Sequence, residues 1–78
     1  MNIFYDTIDA LCKLEGINHS ILAMRCGVGP VTFHRYLTLE REFKLVPFMA
    51  LCRTLDLSPQ RLYAVYDKAR KEQNNDKH

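Results

Sequence analysis

Tryptophan is absent, and cysteine, glycine and proline occur only three times each in 78 residues. Cys12, Cys26 and Cys52 form no Cys-x-x-Cys or Cys-x-x-His pair. An odd number at wide spacing builds neither a disulfide framework nor a zinc site. The sequence therefore predicts no metal and no cofactor, three small core residues, and a cytoplasmic, reducing environment. No apolar run approaches the roughly 20 residues that span a bilayer, so no membrane partner is expected. Met1-Asn2-Ile3-Phe4-Tyr5-Asp6 lacks the charged start and apolar stretch of a signal peptide. Charge of one sign is lacking too. Eleven Lys and Arg against nine Asp and Glu leave a net +2, which permits a nucleic-acid partner without demanding one. His19, Ser20 and Asp6 or Asp9 make no triad in a chain too small to enclose a pocket, so no enzyme is predicted.

The few glycines and prolines fall where helices should start and stop, and no segment alternates like a strand. Phe4, Ile8, Leu11 and Cys12 form one helical stripe over residues 3–15, closed by Gly16. Asn18 is a good cap for a second helix carrying Ile21, Leu22 and Cys26. Gly29-Pro30 opens a third, with Phe33, Tyr36 and Leu37 inward, because proline suits the first helical position. Residues 40–44 read as a loop. Leu45, Phe48, Leu51, Cys52 and Leu55 give a fourth helix, with Pro47 tolerated in its first turn. Ser58-Pro59 opens a fifth, with Leu62, Val65, Tyr66 and Ala69. From Lys71 the chain is polar and predicted to fray. The expectation is an all-α protein: a single domain over residues 1–70, folded as a bundle of about five short helices, and a polar tail over 71–78.

Residues 16–36, GINHSILAMRCGVGPVTFHRY, carry the functional signal. Two short helices joined by a tight turn at Gly27-Val28-Gly29 are what a helix-turn-helix requires. Ala23 allows close helix approach, Gly27 permits a positive φ, and Val28 plugs the corner. The chain here resembles the lambda-repressor-like family, the Cro/cI type of helix-turn-helix regulators. The resemblance runs from Ile8 to about Leu62, through Leu11, Gly16-Ile17, Leu22-Ala23, Gly27-Val28, Phe33, Tyr36, Leu45, Phe48, Leu51-Cys52, Leu55-Asp56-Leu57-Ser58 and Leu62. It implies that the third helix lies in the major groove of duplex DNA. Pro30, Val31, Thr32, His34 and Arg35 would then face bases, with Arg35 suited to guanine. Asn18, His19, Arg41 and Lys44 would contact phosphates, His19 standing where the family often has glutamine.

Two departures stand out. Gly29-Pro30 replaces the usual Ser or Thr cap. Cys12 and Leu37 occupy the positions where many relatives bury an arginine–glutamate pair, and an apolar replacement on both sides suits a folded domain. Leu62, Tyr63 and Tyr66 make the fifth helix apolar around more of its circumference than one core contact needs. Either the N-terminal Ile3, Phe4 and Tyr5 cover them or a second subunit does, and a homodimer interface is expected there. The reading from sequence is thus a small DNA-binding transcriptional regulator. The alternative is an antirepressor-like module that pairs with another repressor protein and covers its DNA-reading surface.

Overall fold

Asn2 starts the first helix. In the computed structural model, which describes residues 2–75, its side-chain oxygen accepts the Tyr5 N–H at 2.8 Å. That bond satisfies one of the donors every helix start leaves without an internal partner. The Asn2 amide also donates to the Leu37 carbonyl at 3.0 Å, tying the chain start to a segment 35 residues on. Helix α1 spans Ile3–Glu15 and buries Phe4, Ile8 and Cys12. It ends on Gly16 at φ 70°.

Asn18 repeats the device at the head of α2, His19–Arg25, accepting the Ile21 N–H at 2.8 Å. The turn that follows passes through Gly27 at φ 76°, the left-handed conformation expected of it. Val28 packs half-buried against the core, and its N–H bonds the Ala23 carbonyl at 3.1 Å. Helix α3, Pro30–Leu37, opens on its proline and buries Phe33, Tyr36 and Leu37. Helix α4, Leu45–Thr54, holds Pro47 in its first turn, where the missing N–H forfeits no internal bond.

Helix α5 spans Pro59–Asn75. It continues beyond Lys71, where the polar composition predicts fraying. Good helix formers and an i,i+4 ion pair, Lys71 to Asp67 at 3.0 Å, favour the extra turn. Residues 76–78 lie outside the described residues. All five helices match the sequence pattern, and the described residues contain no strand.

α1 packs against α2, α3 and α5; α2 packs against α3 and α4; α4 packs against α5. The centre of this arrangement is Phe43, from the loop between α3 and α4. Its ring stacks on Tyr36 at 4.4 Å and meets Phe4, Phe33, Phe48 and Tyr66 edge-on at 5.4–6.4 Å. Its backbone N–H donates to the buried Tyr66 hydroxyl at 2.9 Å. The Cα radius of gyration is 11.8 Å, close to the value of about 11–12 Å for one compact unit of this length.

Candidate nucleic-acid interface

The back of α3 is fixed before its front is. Phe33, Tyr36 and Leu37 are buried, so the same helical turns push Pro30, Val31, His34 and Arg35 into solvent, with Thr32 half-buried. All five base-facing candidates therefore lie on one short helix, which α2 supports with Leu22 and Ala23 inside. Residues 16–39 contain no Asp or Glu. Their charge comes from Arg25 and Arg35, both exposed and neither in an ion pair among the described residues.

The four phosphate candidates are less uniform. Asn18 uses its side-chain oxygen to cap α2, which leaves its amide as the outward donor. His19 is already partnered: its Nε2 lies 3.0 Å from Asp9 Oδ1, and Lys13 Nζ lies 3.1 Å from the other oxygen. Lys13 foremost, and His19 after it, hold the Asp9 carboxyl below the usual carboxylate range. Arg41 and Lys44 are exposed on the loop before α4, but Glu40 and Glu42 share that loop and balance its charge.

Tyr5 and Asp9 belong to this surface although the sequence reading gave them no role there. The Tyr5 ring meets His19 edge-on at 5.5 Å and His34 at 6.2 Å, linking the head of α2 to the outer face of α3. Tyr5, Asp9 and Lys13 recur every fourth residue along α1. That stripe was legible as one helix face, but not as a neighbour of α2 and α3.

No protein-family model matches the chain, and no curated protein or solved structure matches it.

Two of the three dimer candidates are core residues. Leu62 and Tyr66 are each 3% exposed. Phe4 covers Tyr66 at a ring distance of 5.0 Å, and the Tyr66 hydroxyl is engaged by Phe43. The surplus apolar width of α5 is thus covered from within the chain, and only Tyr63 remains available to a partner, at 52% exposure. It borders a groove of about 470 Å³ beside Leu45 and Phe48, next to exposed Val46.

The three cysteines are free and buried. Burial pushes each thiol up, Cys26 to about 11. Among the described residues no three His, Cys, Asp or Glu side chains gather as a metal site. No described helix is long and apolar enough to cross a membrane.

Proposed function

We propose that the chain binds duplex DNA, using α2 and α3 as a helix-turn-helix, and acts as a small transcriptional regulator of the Cro type. The observation that carries this reading is the acid-free stretch 16–39, whose apolar residues are buried and whose exposed residues include Arg35, His34 and Arg25. DNA affinity depends on neutralising phosphates, and a reading helix free of carboxylates adds no repulsion. Arg35 has the fork geometry to bond guanine O6 and N7 together, and Val31 or Thr32 suits a thymine methyl. Asn18, Arg41 and Lys44 hold phosphates on either side. A homodimer would match a two-fold operator, with Tyr63, Leu45 and Val46 as its exposed apolar surface.

A second reading, the antirepressor-like module, is favoured by two observations. Val31, at the head of α3, is 66% exposed, and the neighbouring loop is charge-balanced. Anisotropy titrations of labelled random-sequence duplexes at low salt separate the two. Binding that weakens steeply with salt supports the DNA reading, and Lys44→Ala should lower the salt slope by about one unit. Absence of binding, together with a repressor co-purifying from the native source, supports the module reading instead.

A further inference from the structure

Two arginines border a common pocket where the loop after α3 meets the C-terminal half of α5. Arg41 and Arg70 line one pocket of about 140 Å³, whose other polar groups are Glu42, Gln73 and Asn74. That space suits about four waters or one small oxyanion.

Arg70 is held in place. Its Cζ lies 5.5 Å from the centroid of the Tyr66 ring, and that ring is anchored by its buried hydroxyl. The cation–ring contact restrains the guanidinium and leaves its N–H donors for an acceptor. Arg41 is fixed through its backbone, whose N–H donates to the Arg35 carbonyl at 3.3 Å. Leu39, two residues before it, packs against the core at φ 66°. Neither arginine forms an ion pair among the described residues, although Glu42 lines the same pocket. Two guanidiniums and one carboxylate leave a net single positive charge.

We propose that this pocket binds a singly charged phosphate group, clamped by Arg41 and Arg70, with the Gln73 and Asn74 amides as further donors. Fork-shaped guanidinium donors match phosphate oxygens in pairs. Glu42 sets the charge limit, so a phosphodiester fits better than a doubly charged phosphate. The site stands whether or not α3 reads bases. A phosphodiester of this kind comes either from a nucleic-acid backbone or from a free small molecule.

The test is an NMR titration of the full chain with dimethyl phosphate, against chloride at matched ionic strength, following the arginine Nε–H signals. Saturable shifts are expected at Arg41 and Arg70, with shifts in the Gln73 and Asn74 side-chain amides. Arg70→Lys keeps the charge but loses the planar fork, and should weaken binding about tenfold. Glu42→Gln, an exposed change, should tighten it several-fold. A second arm adds a random-sequence duplex. Movement of the same signals assigns the pocket to a DNA backbone, whereas shifts confined to α2 and α3 assign it to a free phosphodiester. Small non-saturating shifts spread over every Lys and Arg, or an unchanged response in Arg70→Lys and Glu42→Gln, would overturn the proposal.

Discussion

Phe43 and Tyr66 show how a single polar contact can organise an aromatic core. The Phe43 N–H is buried, and its partner is the Tyr66 hydroxyl. Tyr66→Phe keeps the ring but strands that donor, which should cost about 2 kcal/mol in chemical denaturation. Tyr66→Glu would bury a charge among Phe4, Phe43 and Phe48, and should abolish folding rather than split a dimer. The cysteines give the pH counterpart. Burial raises Cys26 from its ordinary 9.0 to about 11. The unfolded chain therefore loses the thiol proton first as pH rises. Stability from this group is complete below about pH 9 and lost as pH climbs through 11. Thermal melts between pH 8 and 11 should show the fall, and a thiol reagent at pH 8 should label the cysteines only once the protein is unfolded.

At the scale of elements, α2 and α3 depend on the turn between them. Nothing lies within 4 Å of where a Gly27 side chain would begin, so Gly27→Ala isolates the backbone cost of φ 76°. The left-handed conformation costs an L-residue roughly 1–2 kcal/mol, partly offset by a stiffer unfolded chain, for a net loss of about 1 kcal/mol. A denaturant midpoint that does not move would show that the turn is not held in that conformation. The helices themselves were legible in the sequence because periodicity projects their inner faces and caps mark their ends. Phe43 was not, because it lies in a charged loop, Glu40 to Lys44, with no period to project. Tyr66 was legible in part for a related reason. The pattern shows that α5 is apolar on two sides and leaves either the N-terminal residues or a second subunit to cover it; Phe4 covers Tyr66, and Phe43, which no period projects, joins it. Asp9 is a third case, since the sequence shows its fourfold spacing to Lys13 but not its contact with His19.

On the scale of the whole molecule, a net charge of +2 is small for a DNA ligand, so placement of charge matters more than its sum. Asp9 engages His19 at 3.0 Å, so under the DNA-binding proposal it would keep His19 from a phosphate. Asp9→Asn should therefore tighten DNA binding about threefold to fivefold at low salt, an advantage that fades as salt rises. Unchanged affinity would remove His19 from the interface. Selection from random duplexes with purified wild-type protein and with Arg35→Ala in parallel tests the proposal that α3 reads bases. One enriched motif is expected for the wild type. In Arg35→Ala the preference at a single guanine should be lost and the affinity lowered by about 1–3 kcal/mol. No enriched motif, or an identical motif from both proteins, would contradict it.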